Sequence, residues 1–244
     1  MEPDSPVIAS GVDDPIGPIE RRWSFGGDVA SGFEAHIERS VPGYRAGHDL
    51  VAAVADFFVR DGSLVYELGC STGALSRCLV ERVPERPLRV VGIEREPAMA
   101  AEARRRCAHH PGIEIVEADL LEVGFERCDL VMSYYTAQFV RPAVRQTLFD
   151  RVHEALEWGG AFVLFEKVRA PDARFQDLVS TLYADFKLER GFAPDEILAK
   201  TRSLKGVLEP FSTRGNLDLL ARAGFVDVTT IWKHLCFEGF LAIK

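Results

Sequence analysis

Short apolar segments alternate with helical segments through most of this 244-residue chain. The predicted strands are apolar at nearly every position, which is typical of parallel strands covered by helices on both faces. Seven strands are predicted, over residues 64–68, 88–93, 113–116, 128–133, 161–166, 225–232 and 235–243. Helices are predicted from residue 73 and over residues 97–108, 142–156 and 213–223. The pattern predicts a doubly wound α/β fold.

The last two predicted strands are separated only by Lys233 and His234. Strands joined so closely must run antiparallel, because a parallel pair needs a long crossover connection. The seven-stranded sheet is therefore predicted to be mostly parallel, with an antiparallel hairpin at the carboxyl end of the chain.

Further helical segments lie outside this alternation. Apolar residues recur at helical spacing between residues 23 and 59, which predicts two helices separated by a turn at Val41-Pro42-Gly43-Tyr44. Helical stretches at 173–187 and 194–206 delay the strand expected after Glu166, and we interpret them as a lid. The predicted organisation is a flexible tail over 1–20, a helical cap over 21–60, and a cofactor-binding domain over 61–244 with the lid inserted at about 170–207.

A glycine turn follows the first predicted strand, in the sequence Glu67-Leu68-Gly69-Cys70-Ser71-Thr72-Gly73. Glycine at positions 69 and 73 allows positive φ and a close approach of the backbone to a ligand. Ser71 stands where a dinucleotide-binding turn has its second glycine, so the turn fits a nucleoside better than a pyrophosphate.

Acidic residues fall where three successive strands are predicted to end: Glu67, Glu94 and Asp119. In an open parallel sheet such residues converge on one crevice. Glu94 is placed to accept the two ribose hydroxyls of an adenosine, and Asp119 to meet the adenine amino group beside the backbone N–H of Leu120. Each acid alone could be a helix cap or a solvated loop residue. Together with the glycine turn they indicate a nucleoside cofactor.

These residues and the terminal hairpin resemble the class I S-adenosylmethionine-dependent methyltransferase fold, which is Rossmann-like, over residues 64–244. A closer resemblance, to the carboxy-S-adenosylmethionine synthase family, covers nearly the whole chain. It is carried by Trp23-Ser24-Phe25, Arg39-Ser40-Val41-Pro42-Gly43-Tyr44, Gly69-Cys70-Ser71, Glu166-Lys167, Asp185-Phe186-Lys187 and Arg202-Ser203.

The resemblance implies a homodimer that moves a carboxyl group from prephenate onto the methyl of S-adenosylmethionine, for wobble-uridine modification in tRNA. It also implies that Tyr44 and Arg202 are cofactor-site residues and that Arg202 binds the added carboxylate. A guanidinium suits that role, because it can hold a carboxylate through two hydrogen bonds. The predicted cofactor-binding residues are Tyr44, Glu67, Gly69, Cys70, Ser71, Gly73, Glu94, Arg95, Asp119, Leu120, Tyr134 and Arg202.

The chain departs from the family pattern at two places. Tyr134 replaces an asparagine after the fourth strand, and Glu94-Arg95 replaces Asp-Asn after the second. A tyrosine at 134 could stack on a small substrate or hydrogen-bond to it. Aromatic faces also suit a sulfonium cation. The aromatic candidates are Trp23, Phe25, Tyr134 and Tyr135, with core packing the favoured interpretation of the first two.

Transfer from a sulfonium needs little catalytic machinery, because holding the reactants in line supplies much of the rate. The predicted catalytic residues are Tyr134, Glu166 and Arg202. The histidines His36, His48, His153 and His234 are further candidates for a general base, and none of them is preferred.

Composition excludes several classes of protein. With 29 basic and 37 acidic residues the net charge is -8, which argues against direct nucleic-acid binding. Five cysteines without a C-x-x-C pair indicate neither a metal cluster nor a disulfide framework, and predict reduced thiols in the cytoplasm. The sequence has no apolar stretch long enough to span a membrane.

Three functions remain open at this point. The favoured one is a methyltransferase for a small molecule, which can bear a carboxylate, with S-adenosylmethionine as cofactor and no metal. The second is a true carboxy-S-adenosylmethionine synthase. The third is a module that binds a nucleotide or associates with tRNA without catalysis.

Overall fold

The computed structural model describes residues 29–244, with side chains from residue 32 onward. The predicted tail over 1–20, Trp23 and Phe25 lie outside the described residues. The strands are β1 Leu64–Leu68, β2 Arg89–Glu94, β3 Ile113–Glu117, β4 Cys128–Tyr134, β5 Leu156–Lys167, β6 Asp227–His234 and β7 Phe237–Ile243. The helices are α1 Val29–Ser40, α2 Tyr44–Ala55, α3 Ala74–Arg82, α4 Pro97–Cys107, α5 Pro142–Ala155, α6 Ala173–Glu189, α7 Pro194–Ser203 and α8 Thr213–Ala223.

The described strands form one seven-stranded sheet in the order β3-β2-β1-β4-β5-β7-β6. The first five strands run parallel, and β7 pairs antiparallel with both β5 and β6. The strand order reverses between β1 and β4, where an open α/β sheet forms its ligand crevice. The predicted fold is confirmed.

Helices cover both faces of the sheet. On one face, Leu148 and Phe149 of α5 and Leu220 of α8 are completely buried against the strands. On the other face, Val51 of α2 and Leu79 of α3 fill the core in the same way. This burial explains why the strands are apolar at nearly every position.

The terminal hairpin turns two residues later than predicted. β6 continues through His234, and the turn is formed by Leu235 and Cys236, with Leu235 at a φ of +51°. The polar pair Lys233-His234 reads as a turn in the sequence, but the Lys233 ammonium forms an ion pair with the buried Glu238 carboxylate across the hairpin, at 3.0 Å. That contact keeps the pair within the strand.

β5 also begins earlier than predicted. After Leu156, the strand continues through Glu157-Trp158-Gly159-Gly160, where two adjacent glycines are typical of a loop. The backbone of Lys244 nevertheless pairs with this segment, through hydrogen bonds of 2.8 Å from Gly159 N–H to Lys244 O and 3.0 Å from Lys244 N–H to Gly160 O. The end of the chain therefore extends the strand.

Helices α1 and α2 precede the sheet, and α6 and α7 lie between β5 and α8. Their roles as a cap and a lid stay predictions. Within residues 29–244, none of the helices combines the length and apolar character needed to cross a membrane. The same residues contain no group of three or more His, Cys, Asp or Glu side chains arranged to hold a metal ion.

Candidate active site

A cavity of about 370 Å³ lies beyond the carboxyl ends of the parallel strands; we call it the first cavity. Ten of the twelve predicted cofactor-binding residues line it. They are Tyr44, Glu67, Gly69, Cys70, Ser71, Glu94, Arg95, Asp119, Leu120 and Tyr134. The sheet register explains why they meet: Leu68 pairs with Ile93 on one side and Ser133 on the other, so Glu94 and Tyr134 flank Gly69.

The glycine turn forms a tight cradle in this cavity. Gly69 has a φ of +70°, and a Cβ built on it would lie 2.4 Å from Cγ2 of Thr136. Ser71 also has a positive φ, +53°, and its buried Oγ has no hydrogen-bond partner. Only glycine therefore fits at position 69, and the Ser71 hydroxyl is left without a partner within the protein.

Two carboxylates are held in place by backbone N–H groups beside this turn. Glu94 accepts 2.9 Å hydrogen bonds from the N–H groups of Ser71 and Glu96, and burial raises its pKa. Oδ1 of Asp119 accepts a 2.9 Å bond from the N–H of Leu121. Carboxylate oxygens have about four lone-pair sites, so both acids keep acceptor capacity for a ligand. The exposed Arg95 side chain instead contacts Glu96.

Glu67 lies deeper, at the end of β1. It is almost fully buried and accepts a hydrogen bond from the Ser76 hydroxyl. Burial raises the pKa of Glu67 to about 8, and the neighbouring Glu94 charge adds to the effect. Near neutral pH the acid is mostly protonated, and it can both donate and accept a hydrogen bond.

Aromatic rings close the side of the first cavity next to α2. The Tyr134 ring lies 5.3 Å from that of Tyr44, and 4.6 Å from those of His48 and Tyr135, between centroids. The Tyr134 hydroxyl donates a 2.7 Å hydrogen bond to the carbonyl of Tyr44. Burial lowers the pKa of His48 to about 3, so the imidazole is neutral. A group of neutral aromatic faces is suited to a sulfonium cation.

Helix α1 is fastened over the glycine turn by one carboxylate. Glu34 accepts a 2.9 Å hydrogen bond from the Thr72 hydroxyl and forms an ion pair with Arg106 of α4. Phe33 and Ile37, one turn apart on the same helix, consequently line the first cavity. Sequence reasoning missed these residues, because their helical spacing predicts core packing equally well.

Residues that follow β4 were also missed. Thr136, Gln138 and Phe139 all line the first cavity, and Ala137–Phe139 forms a short 3-10 helix. Gln138 is buried and its side chain bonds the carbonyl of Tyr135 and the N–H of Lys167. Position alone could have pointed to them, since they follow directly on a strand that ends at the crevice.

Three predicted site residues are not brought into the first cavity. Gly73 begins α3, and its missing Cβ makes room for Sγ of Cys107. Arg202 lies exposed in the last turn of α7. Glu166 points into the core on the side of α5. Of the candidate histidines, His48 lines the first cavity, and His36 lines a second cavity described below. His153 packs edge-on against Phe225, and His234 is the last residue of β6.

Glu166 is 1% exposed, and neither of its carboxyl oxygens makes a hydrogen bond of normal length. Burial raises its pKa to about 8, an effect partly offset by the Arg145 cation and by the backbone N–H groups of Gln138 and Ala137. Glu166 lines neither the first cavity nor the second cavity described below, and its burial is expected to affect the stability of the fold.

We expect the stability of the protein to depend on the protonation of Glu166. Because its pKa is raised from 4.5 unfolded to about 8 folded, its contribution is fully present below pH 4.5 and is lost as the pH rises through 8. One such group changes the free energy of unfolding by up to about 1.4 kcal/mol per pH unit. Glu166→Gln should flatten the fall in Tm between pH 5 and pH 8.5, measured by calorimetry.

Glu189→Gln, which removes an exposed carboxylate at the end of α6, is the matched control and should follow the wild-type curve. Parallel curves for Glu166→Gln and wild type would show that Glu166 is ionised in the folded protein. The raised pKa of Glu67 also makes the folded protein less stable as the pH rises over this range. The Tm of the Glu166→Gln variant should therefore still fall with pH, but less steeply than that of wild type.

Comparisons with known proteins agree with this geometry. A family model described as "Methyltransferase domain" matches residues 65–160. A carboxy-S-adenosyl-L-methionine synthase from Staphylococcus epidermidis is 33% identical over 91% of this chain and 97% of its own length. The chain belongs to the carboxy-S-adenosyl-L-methionine synthase family. A second member, from Methylococcus capsulatus, is 35% identical over 91% of this chain and 93% of that protein.

Solved structures extend the likeness at the level of the fold. Human N-acetylserotonin methyltransferase in complex with S-adenosylmethionine superposes with a TM-score of 0.61 at 18% identity, covering 88% of this chain and 55% of that one. An O-methyltransferase from Nostoc punctiforme gives a TM-score of 0.62 at 14% identity, covering 88% and 59%. The family and fold predicted from the sequence are both confirmed.

Members of this family are S-adenosylmethionine-dependent transferases, and the described residues fit that cofactor. Gly69 lies too close to Thr136 for any Cβ, which keeps the glycine turn in its tight conformation, the Ser71 hydroxyl has no partner within the protein, and Glu94 presents a carboxylate for vicinal hydroxyls. The chain is an enzyme that binds S-adenosylmethionine.

Proposed function

We propose that this protein is a carboxy-S-adenosyl-L-methionine synthase, in place of the small-molecule methyltransferase that the sequence favours. The supporting observation is the extent of the similarity. Relatives with this name match 91% or more of the chain, including the α6 and α7 segment that a shared methyltransferase core does not explain. By the family resemblance the carboxyl donor is prephenate.

When bound, S-adenosylmethionine supplies a methyl carbon activated by a positively charged sulfur. Glu94 would accept the ribose hydroxyls, while Asp119 and the Leu120 N–H would hold the adenine. The aromatic rings of Tyr44 and Tyr134 would face the sulfonium. Residues of α1, which Glu34 fastens over the glycine turn, would exclude water from the reacting groups.

Transfer of a carboxyl group replaces one C–H bond of the methyl with a C–C bond. As prephenate gives up its ring carboxyl group it also expels its ring hydroxide and becomes the aromatic phenylpyruvate, so the methyl proton and the hydroxide leave together as water. His48 is neutral with a strongly lowered pKa, which makes it a poor proton acceptor. The described chain therefore acts mainly by positioning the two reactants and by shielding them from water.

Mass spectrometry of the reaction products tests the proposal. The purified protein should convert S-adenosylmethionine and prephenate to a product heavier than S-adenosylmethionine by one carboxyl group in place of a hydrogen. Omitting prephenate is the control and should leave S-adenosylmethionine unchanged. Accumulation of S-adenosylhomocysteine together with a methylated small molecule, and no carboxylated product, would refute the proposal.

One observation favours the small-molecule methyltransferase as a second candidate. Tyr134 stands where the family has an asparagine, and its hydroxyl is already used by the Tyr44 carbonyl. The position therefore offers a ligand an aromatic face instead of an amide. Tyr134→Asn separates the candidates: a carboxy-S-adenosyl-L-methionine synthase should keep its reaction, whereas a methyltransferase adapted to Tyr134 should lose affinity for its acceptor.

We also propose that the protein is a cytoplasmic homodimer. Phe175, Leu178 and Leu182 form an exposed apolar stripe along α6, which a second copy could cover. All five cysteines are free, as expected in a reducing compartment. Sedimentation of a single monomeric species would contradict the dimer. The substrate is proposed to bear a carboxylate, and direct nucleic-acid binding is not expected from a net charge of -8.

A further inference from the structure

A second cavity, of about 570 Å³, adjoins the first. It lies between the carboxyl end of β5 and helices α6 and α7. Five residues line both cavities: Phe33, Ile37, Val41, Gln138 and Phe139. A molecule in the second cavity would therefore be separated from one in the first only by this shared wall.

The lining of the second cavity combines positive charge with apolar surface. Five cationic residues line it, against two carboxylates, Glu196 and Glu209. The cations are Lys167, Arg169, Lys187, Lys200 and Lys205. Oε2 of Glu196 is engaged at the start of α7, where it accepts a 2.6 Å hydrogen bond from the Ala193 N–H. The apolar part includes Tyr183, Phe192, Leu204, Leu208 and Phe237. Such a lining suits an organic anion with an apolar body.

Lys167 and Lys187 share one aromatic ring of the second cavity. Both Nζ atoms lie 4.5 Å from the centroid of the Tyr183 ring. In the described part of the chain neither ammonium is within 4.0 Å of a carboxylate. Two ammonium groups on one partly buried ring repel each other, and the Lys167 charge acts on Lys187, so an anion between them would be favourable.

The pKa values reflect the same environment. Burial, together with the nearby Lys167 charge, lowers the pKa of Lys187 to about 8. Burial also lowers the pKa of Lys167, with Arg169 adding to the effect. A bound carboxylate would restore both values, because an opposite charge favours the protonated amine.

Lys167 is fixed relative to the shared wall. Its backbone N–H donates a 2.9 Å hydrogen bond to Oε1 of Gln138, whose Nε2 donates to the carbonyl of Tyr135 at 2.9 Å. Gln138 thereby connects the cationic end of the second cavity to the aromatic side of the first. The Tyr183 ring is itself held by its hydroxyl, which donates to the carbonyl of Ser40 at 2.8 Å.

We propose that the second cavity binds the carboxylate-bearing substrate, with Lys167 and Lys187 holding its carboxylate and the shared wall marking the point of transfer. The identity of this ligand as the reacting substrate rests on the proposed function, whereas the capacity of the cavity to bind an organic carboxylate does not. Lys167 and Lys187 are thus substrate-binding residues, while Gln138 positions Lys167.

Calorimetry on the full chain saturated with S-adenosylhomocysteine tests this inference. The probes are 3-phenylpropanoate, an organic carboxylate with an apolar ring, and 3-phenylpropanamide, its neutral counterpart. We expect the acid to bind at least about tenfold more tightly than the amide. A hydrogen bond to a charged group contributes more free energy than a tenfold change in affinity requires. Equal affinities, or no binding of the acid, would overturn the proposal without any variant.

Substitutions locate the binding. Lys167→Met and Lys187→Met should each weaken 3-phenylpropanoate at least about tenfold, leaving 3-phenylpropanamide and S-adenosylhomocysteine unaffected. Arg174→Met removes a cation from α6 outside both cavities and should bind the acid like wild type. Unchanged acid affinity in both lysine variants would refute the assignment. Lysine-dependent binding in a protein that forms no carboxylated product would instead refute the proposed function alone.

Discussion

Gly69→Ala should reduce the affinity for S-adenosylhomocysteine at least about 100-fold, which corresponds to about 2.7 kcal/mol. The backbone at Gly69 has a φ of +70°, a conformation that costs an L-residue roughly 1–2 kcal/mol. The new Cβ would also lie 2.4 Å from Cγ2 and 2.5 Å from Oγ1 of Thr136. Either the turn or Thr136 must move, and both line the first cavity. Calorimetric titration measures the loss.

Gly62→Ala is the matched control for backbone strain. Gly62 has a φ of +79°, but a Cβ built there meets nothing within 4 Å. This variant should lose a small amount of stability and bind S-adenosylhomocysteine like wild type. If Gly69→Ala also bound normally, the glycine turn would not form the cofactor cradle described above.

Arg145→Met should lower the free energy of unfolding by about 3–5 kcal/mol, because three carbonyls lose a buried charged donor and each unsatisfied polar group costs about 1–3 kcal/mol. The Arg145 side chain is fully buried, and its Nη2 donates to the carbonyls of Gln138, Val140 and Glu209 at 3.2, 2.7 and 2.9 Å. Methionine can fill the space above the Phe211 ring but leaves these carbonyls without that donor. The Tm should fall by roughly 6–20 °C.

Arg214→Met provides the comparison. Arg214 is exposed on α8 and, among residues 29–244, forms an ion pair with Asp218 alone, one turn away, so its removal should cost no more than about 1 kcal/mol. Equal shifts in Tm for the two variants would mean that the buried hydrogen bonds of Arg145 add no stability beyond that of a surface ion pair. The Arg145 variant should also bind the cofactor more weakly, because Arg145 holds the carbonyl of Gln138, which lines both cavities.

The fold could be predicted because strands that are buried on both faces of the sheet consist of consecutive apolar residues, which are visible in the sequence. Val65 and Leu68 of β1, like Val90 of β2, are completely buried, and residues in that setting must be apolar. The hairpin turn was misplaced because local polarity suggests a turn at Lys233, whereas its partner Glu238 lies on the opposite strand. A contact between two strands, such as that of Lys233 with Glu238, produces no pattern in the residues next to either partner.

The cofactor site was predictable for a related reason. Glu67, Glu94 and Tyr134 follow strand ends, and parallel strands bring their carboxyl ends to one edge. The locations of Arg202 and Glu166 could not be predicted in this way. Whether a helical arginine faces a cavity or the solvent depends on how α7 rotates against its neighbours, and whether a carboxyl after a strand enters the cavity depends on which sheet face it occupies.

The side chains that line the second cavity could not be predicted from the sequence. Lys167 and Lys187 are twenty positions apart, in a strand and a helix, and only the packing of α6 against the end of β5 places both on one tyrosine ring. The sequence presents both lysines as parts of family motifs, and the only physical role it suggests is an ion pair of Lys167 with Glu166. The role proposed here follows from their shared position.

The contact between α2 and the Tyr134 ring predicts a pattern of evolutionary covariation. A Cβ at Gly47 would lie 2.0 Å from the Tyr134 hydroxyl oxygen, so the two positions cannot vary independently. Homologues that keep tyrosine at position 134 should keep glycine at position 47. Homologues with the shorter asparagine should tolerate a larger side chain at position 47, so a lineage can acquire the tyrosine only where that position is already glycine.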